Sequence, residues 1–367
     1  MKNIGFFMHN FNGGGAERVT INLANKLSDL NYNVSIIVIN NLGVLEKSVD
    51  DSVEIVDLKI FNKSKIIKNL KNIIYLKDII EKKNLDCLIS VTSPMNLIAA
   101  IANACSKKKI KLYATVHNSI SMEKKSFASI RNKLMKYLDK YIVKTIVVSK
   151  EAENDYIETV GICKEKTMTI YNPVISDKIY SLQKESVDHK WLTKNKDFKT
   201  LVAAGRLTEQ KNYPLLLESI KILSKDINIR LIILGDGELK NDLVELTKML
   251  KIDDIVDFVG FTENPYKYFY NCDTYVMSSN WEGLPTVLIE AIACGCNIVS
   301  TECKSGPKEI LDNGRYGILT PINNREKLAE AIKKSLYAEK NIDDKLKKAK
   351  EFTIEKSIKS YLKILNE

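Results

Sequence analysis

Apolar residues gather in short runs along this chain of 367 residues, and the segments between them carry apolar positions at helical spacing. In the first half the runs are Ile4 to Met8, Val34 to Ile39, Val53 to Leu58, Cys87 to Val91, Lys111 to Val116, Thr145 to Val148 and Thr167 to Tyr171. In the second half they are Leu201 to Ala204, Arg230 to Leu234, Ile255 to Val259, Thr274 to Met277, Asn297 to Ser300 and Gly317 to Leu319. Val19, Leu23, Leu27 and Leu30 illustrate the helical pattern between them. Strands alternating with helices predict parallel sheets with right-handed crossovers, so the fold class is α/β with two doubly wound, Rossmann-like domains. Asn172-Pro173-Val174 closes the first set, and the polar stretch from Ser181 to Lys199 enters the second.

Against this pattern, Glu282 and Glu290 in Glu282-Gly283-Leu284-Pro285-Thr286-Val287-Leu288-Ile289-Glu290 are the first candidates for chemistry. Gly283 and Pro285 stop a strand and start a helix, with Pro285 expected at its first position, so the amides of Thr286 and Val287 point at an anion. Two carboxylates around such a cradle suit a nucleotide-sugar, one for sugar hydroxyls and one for ribose. An ordinary crossover with two solvated glutamates fits the same nine residues, so context decides. Gly205-Arg206 and Lys211 follow the run ending at Ala204, which delivers two cations to a strand's carboxyl end, where ligands of open α/β sheets bind. Asn12-Gly13-Gly14-Gly15 follows the first strand and opens a helix, offering free amides and close backbone approach.

The joint pattern resembles the retaining glycosyltransferase family 4 with its two-domain GT-B fold. The resemblance is carried by Gly13-Gly14-Gly15-Ala16-Glu17-Arg18, Val116-His117-Asn118, Gly205-Arg206 with Lys211, Gly235-Asp236-Gly237-Glu238, and Glu282 to Glu290 continuing through Ser305-Gly306-Pro307-Lys308-Glu309-Ile310. Among members it looks most like bacterial transferases that extend lipid-linked oligosaccharides in N-glycan, capsule or O-antigen assembly. The resemblance implies an acceptor-binding domain over 1–180, a donor-binding domain over 181–350, facing each other across a cleft, and a last helix over 351–367 that crosses back to the first domain.

It also implies roles. His117 contacts the transferred sugar, Arg206 and Lys211 hold the donor diphosphate and stabilise the leaving group, Glu282 takes hexose hydroxyls, and Glu290 takes the ribose. Gly14, Gly15, Gly235, Asp236, Phe261, Thr262, Gly283, Leu284, Pro285, Thr286 and Val287 complete the donor set, with the alternative that Gly235-Asp236 is only a tight turn. Gly13, Glu17, Arg18 and Asn118 are the acceptor set. The implied partners are a UDP-sugar and a polyprenyl-diphosphate-linked glycan, with no cofactor and no metal, because two cations and helix amides already neutralise the diphosphate. No carboxylate pair at the spacing of retaining hydrolases is identifiable, so transfer on the face of the departing phosphate is the implied route for this hexosyltransferase-class enzyme, with Glu17 as a nucleophile the alternative. A GT-B nucleotide-sugar epimerase and a non-catalytic GT-B scaffold at the membrane are the alternatives. A Rossmann dehydrogenase is a poorer alternative still, since Gly13-Gly14-Gly15 does not form G-x-G-x-x-G.

Charge adds a location. Residues 1–180 hold 27 Lys and Arg against 18 Asp and Glu, and Lys107 to Lys144 alone has 11 basic and two acidic residues. Lys124, Lys125, Arg131, Lys133, Lys136, Lys140 and Lys144, interleaved with Phe127, Ile130, Leu134, Met135, Tyr137, Leu138 and Tyr141, predict a basic amphipathic helix. Such a helix either lies on an anionic leaflet or is a solvated face. Nucleic acid is the poorer partner, since no recognition motif accompanies the charge. No apolar run reaches the length of a membrane span or of a signal peptide's core, and the odd count of seven cysteines without C-x-x-C fits reduced thiols. The expected place is the cytoplasm, peripheral on the inner face of the cell membrane.

Overall fold

Two wholly parallel sheets organise the residues described by the computed structural model, which are 2–12, 14–61, 64–122, 125–193 and 196–366. The first sheet comprises β1 (Asn3–Met8), β2 (Asn33–Val38), β3 (Glu54–Asp57), β4 (Cys87–Val91), β5 (Lys111–Val116), β6 (Lys144–Val147) and β7 (Thr167–Thr169). Its order is β3-β2-β1-β4-β5-β6-β7. The second comprises β8 (Lys199–Ala204), β9 (Ile229–Leu234), β10 (Val256–Gly260), β11 (Thr274–Met277), β12 (Asn297–Thr301) and β13 (Ile318–Thr320), in the order β10-β9-β8-β11-β12-β13. Both orders are doubly wound, reversing direction beside the first strand, as the run pattern predicts.

The chain divides after Pro173 and after Thr353 into two compact units, the second of which is inserted in the first. The expected boundaries near 180 and 350 fall inside the second unit, because the amides of Val174 and Ile175 both donate to Phe352 O at 3.0 Å and tie the two crossing segments together there. The first unit carries α1 (Gly15–Asp29), α2 (Lys65–Lys82), α3 (Ser93–Cys105), α4 (Lys125–Leu138) and α5 (Lys150–Tyr156). The second carries α6 (Lys178–Leu182), α7 (Tyr213–Leu223), α8 (Lys240–Leu250), α9 (Tyr266–Asn271), α10 (Thr286–Ala293), α11 (Pro307–Ile310), α12 (Arg325–Leu336) and α13 (Ile342–Ala349). The last helix, α14 (Ile354–Asn366), returns to the first unit.

Helix starts follow local chemistry. Ser149 Oγ accepts from the Ala152 amide before α5, and Asn324 Oδ1 accepts from the Lys327 amide before α12. On one face of the first sheet α2 to α5 bury Leu76, Ile80, Ala99, Met135 and Leu138, and on the other α1 and α14 bury Leu23, Leu27, Ile358, Tyr361 and Ile364. Each such side chain contributes about 1.5–3 kcal/mol, which is what fixes the layers. Leu30 departs from the helical pattern read in the sequence. It caps α1, its amide donating to Lys26 O and Leu27 O, and is 41% exposed because the helix has ended before it can turn inward.

Candidate active site

In the second unit, β8 and β11 are neighbours whose crossovers leave in opposite directions, so a crevice opens at their carboxyl ends. Arg206 and Lys211 lie in the segment after β8, and Ser279 and Glu282 in the segment after β11. Lys211 Nζ sits 2.6 Å from Glu282 Oε1, which also accepts from Ser279 Oγ at 2.6 Å. Gln210 Nε2 reaches Glu282 Oε2 at 3.3 Å and Trp281 O at 2.9 Å. Glu282 is 5% exposed, and Glu290 equally so. Burial of both excludes the solvated-glutamate reading of the motif.

Arg206, by contrast, is exposed and makes no ion pair or side-chain hydrogen bond with the described residues. A guanidinium held out at a switch point next to half-buried Lys211 and its buried partner Glu282 is suited to a diphosphate arriving from solvent. Thr286 and Val287 start α10 half-buried, and the amides that follow, of Leu288 and Ile289, both donate to Pro285 O. Pro285 is therefore the N-cap and not the first helical residue. Its carbonyl closes the first turn, and the amides of Thr286 and Val287 lie ahead of the internal ladder, where an anion is favoured. Glu290, within α10, has the Tyr266 hydroxyl 3.4 Å from its Oε1.

Glycines shape the floor beside this cluster. The Gly205 amide donates to Leu234 O and the Gly235 amide to Gly260 O, a ladder continuing past the ends of β8, β9 and β10. Gly235 has φ +131°, and a Cβ there would stand 2.1 Å from Gly205 O, so no other residue fits. A Cβ on Gly306, ahead of α11, would meet Pro285 Cδ at 2.5 Å, which is how the Ser305-Gly306-Pro307 segment props the Gly283-Leu284-Pro285 turn.

Other members of the expected donor set are less engaged. Asp236 is exposed, closes its own turn through Oδ1 to the Gly237 amide, and pairs with Lys240 at 3.5 Å. Phe261 is 54% exposed after β10, with Thr262 half-buried beside it. Gln210, Ser279 and Tyr266 were not among the sequence candidates. The signal for the first two is adjacency alone, one before Lys211 and the other three before Glu282.

In the first unit, Gly14 is the N-cap of α1 with an ordinary φ of −80°, and Glu17 and Arg18 are half-buried in its first turn. Gly13 lies outside the described residues. Neither Gly14 nor Gly15 has a positive φ, so the backbone does not itself demand glycine at either. The glycine that shapes this loop is Gly43, at φ +126°, whose Cβ would collide at 2.1 Å with the Phe11 carbonyl. His117 follows β5, with Asn118 exposed after it. The Nε2 of His117 is 3.0 Å from Thr115 Oγ1, while its Nδ1 is buried with no hydrogen-bond partner among the described residues. Burial pushes its pKa down to about 4, so the ring is neutral at physiological pH. Among the described residues no three His, Cys, Asp or Glu side chains gather as a metal site.

Comparison with known proteins decides the family. Residues 13–178 match the model of Glycosyltransferase Family 4, and residues 184–353 that of Glycosyl transferases group 1. A glycosyltransferase of Methanocaldococcus jannaschii is 32% identical over 330 residues, covering 81% of this chain and 80% of the relative. The chain belongs to glycosyltransferase family 4. A second relative of this family 4 enzyme is the N-acetylgalactosamine-N,N'-diacetylbacillosaminyl-diphospho-undecaprenol 4-alpha-N-acetylgalactosaminyltransferase of Campylobacter jejuni, 28% identical over 355 residues, covering 95% and 93% of the two chains. In fold it is similar to Anabaena HepE in complex with UDP-glucose, with a TM-score of 0.82 at 18% identity over the full length of both. The family 4 chain thus has two Rossmann-like units of the GT-B type.

Proposed function

We propose that this family 4 enzyme is a retaining transferase. It moves a hexose or N-acetylhexosamine from a UDP-sugar to a polyprenyl-diphosphate-linked saccharide in bacterial surface-glycan or glycoprotein-glycan assembly. The observation that carries the reading is the convergence at the β8/β11 switch point of Arg206, unpaired among the described residues, the ion pair of Lys211 with buried Glu282, and the start of the helix that bears Glu290. Arg206 and Lys211 receive the diphosphate with the Thr286 and Val287 amides, Glu282 the hexose hydroxyls, and Glu290 the ribose. The UDP-glucose bound by the Anabaena protein and the undecaprenyl diphosphate named for the Campylobacter enzyme support the choice of donor and acceptor. In the transfer, the acceptor oxygen bonds to the anomeric carbon on the face that UDP leaves. The bond from that carbon to the phosphate oxygen breaks, and the phosphate oxygen takes the hydroxyl proton. Arg206, Lys211 and the helix amides stabilise the charge that grows on UDP, which makes a metal unnecessary.

A peripheral place on the anionic inner leaflet is part of the same proposal. Helix α4 turns Met135 and Leu138 into the core and leaves Ile130, Leu134 and Tyr137 outward among Lys133, Lys136 and Lys140, with Tyr137 69% exposed. Helix α2, packed beside α3 in the same layer as α4, exposes Ile66, Ile67, Leu70 and Ile74 as well, Ile66 at 75%. Among the described residues no helix is long and apolar enough to cross a membrane. Apolar stripes edged with lysine fit the headgroup region, each cation adding on the order of 1 kcal/mol near the surface. The deciding experiment incubates the enzyme with a panel of nucleotide-sugars and polyprenyl-diphosphate-linked saccharides and reads product mass and linkage. The expected result is a lengthened saccharide with retained anomeric configuration, formed only with UDP-sugars. Isomerised nucleotide-sugar without transfer would replace this reading with an epimerase, and no consumption of any donor would leave only a scaffold.

A further inference from the structure

Resting on the proposed transfer to a saccharide hydroxyl, one side chain outside the expected site set acquires a role. In the first unit a buried polar chain leads from β4 to His117. Asn96 Nδ2 donates to Thr115 O at 2.9 Å, an oxygen that carries no proton, so the amide orientation is fixed and Asn96 Oδ1 accepts from Ser90 Oγ at 2.6 Å. Thr115 Oγ1 lies 2.9 Å from Ser90 O, another carbonyl. The threonine has one hydroxyl proton, directed at that carbonyl. At 3.0 Å on its other side stands His117 Nε2, which donates to Thr115 Oγ1 when the hydroxyl proton lies on Ser90 O. A neutral ring that carries its proton on Nε2 leaves a bare lone pair on Nδ1, the atom without a partner among the described residues.

We propose that Thr115 is a positioning residue that locks His117 in its Nε2–H tautomer, reserving Nδ1 as the acceptor for a sugar hydroxyl. The arrangement has direction. Were the tautomer reversed, the Thr115 hydroxyl would have to turn from Ser90 O to Nε2, and the Nδ1–H would be buried without an acceptor among the described residues, the more costly orphan. Nδ1 is out of reach of water in this structure, so the hydroxyl that meets it displaces whatever covers it. A ligand with ether or fluorine at that position brings no proton and is discriminated against by the same lone pair.

The chain has only three histidines, His9, His117 and His189, so nitrogen-15 spectra of histidine-labelled whole protein resolve the tautomer directly, with His117→Asn identifying the signal. The wild type is expected to show His117 protonated at Nε2 and bare at Nδ1. Thr115→Val should mix the two tautomers and lower kcat by at least about tenfold, the equivalent of one hydrogen bond, while UDP affinity stays at the wild-type value. Thr115→Ser should restore both. An Nδ1–H signal in the wild type, or an unaltered tautomer in Thr115→Val, would overturn the proposal. If Thr115→Val does not fold, the wild-type and Thr115→Ser spectra still decide. The spectra do not depend on turnover, so an enzyme with the expected tautomer and no transfer from any nucleotide-sugar would refute the proposed function and leave the tautomer standing.

Discussion

Removing the Lys211 ammonium should do two separable things, and the structure gives the size of the first. Glu282 is buried, and among the described residues its carboxylate holds three side-chain partners, of which Lys211 at 2.6 Å is the charged one. Taking one member from a buried ion pair costs about 3–5 kcal/mol, because the other remains charged and desolvated. Ser279 Oγ and Gln210 Nε2 stay on the carboxylate and favour the low end, so Lys211→Ala should destabilise the second unit by about 3 kcal/mol. For a unit of that size, residues 174–353, this is a fall of about 6–12 °C in its melting temperature. Arg206→Ala removes an exposed, unpaired side chain and should leave stability within about 0.5 kcal/mol. Both variants should lose turnover by tenfold or more, since about 1.4 kcal/mol of transition-state stabilisation is one decade. Calorimetry of the two variants beside Lys211→Met/Glu282→Gln, which should recover most of the loss, completes the comparison. Equal melting temperatures for Lys211→Ala and Arg206→Ala would show that the buried pair is not what the geometry says.

The division between the two glutamates is testable by titration: Glu290→Ala should weaken UDP itself, and Glu282→Ala should spare UDP while damaging turnover of the full donor, with equal losses in UDP affinity contradicting it. For His117 the folded pKa of about 4 lies below the ordinary 6.5, so as pH falls through that window the unfolded chain takes up a proton that the folded chain refuses, and stability is lost. Between about pH 7 and pH 5 this amounts to roughly 2 kcal/mol, and a urea midpoint that falls as far in His117→Asn as in the wild type would remove the assignment. Sedimentation with vesicles should require anionic lipid and weaken as salt shortens the screening length from about 10 Å at 0.1 M to about 3 Å at 1 M. It should also fall when Lys133, Lys136 and Lys140 become glutamate or Leu70 becomes aspartate, and equal binding to neutral vesicles would sink the electrostatic docking.

Strand positions were legible because a parallel sheet covered on both faces writes each strand as a compact apolar run, and all thirteen runs correspond to strands in the two sheets. Helix ends were less so, as Leu30 and Pro285 illustrate, since periodicity does not say where the ladder stops. Within the site, charged residues after strand ends stood out, and their placement at a switch point follows from the strand order. Gln210 and Ser279 did not, because their hydrogen bonds to Glu282 join segments about seventy residues apart or depend on a turn's geometry. Gly14 and Gly15 have no positive φ, whereas Gly43, isolated in sequence, and Gly235, in the Gly235-Asp236-Gly237 turn, press against backbone more than twenty-five residues away along the chain. The outward stripe of α2 is less legible because its five lysines are accompanied by Asp78 and Glu81, whereas α4 carries no acidic residue, although the aliphatic exposure of α2 is the larger.

The return of α14 to the first unit sets the order in which a newborn chain can finish folding. Residues 174–353 leave the ribosome as one continuous, self-sufficient body, while the earlier unit waits for residues 354–366. At about 5–20 residues per second, the wait between Pro173 and Ile354 lasts roughly 10–40 s. During it, the face of the first sheet that Ile358, Tyr361, Ile364 and Leu365 will cover is open to chaperones, and the Tyr113 hydroxyl lacks the Ile364 carbonyl it will later hold at 2.7 Å. A chain stopped before Ile354 would therefore carry a sound second unit attached to a half-dressed first one, a product for proteolysis.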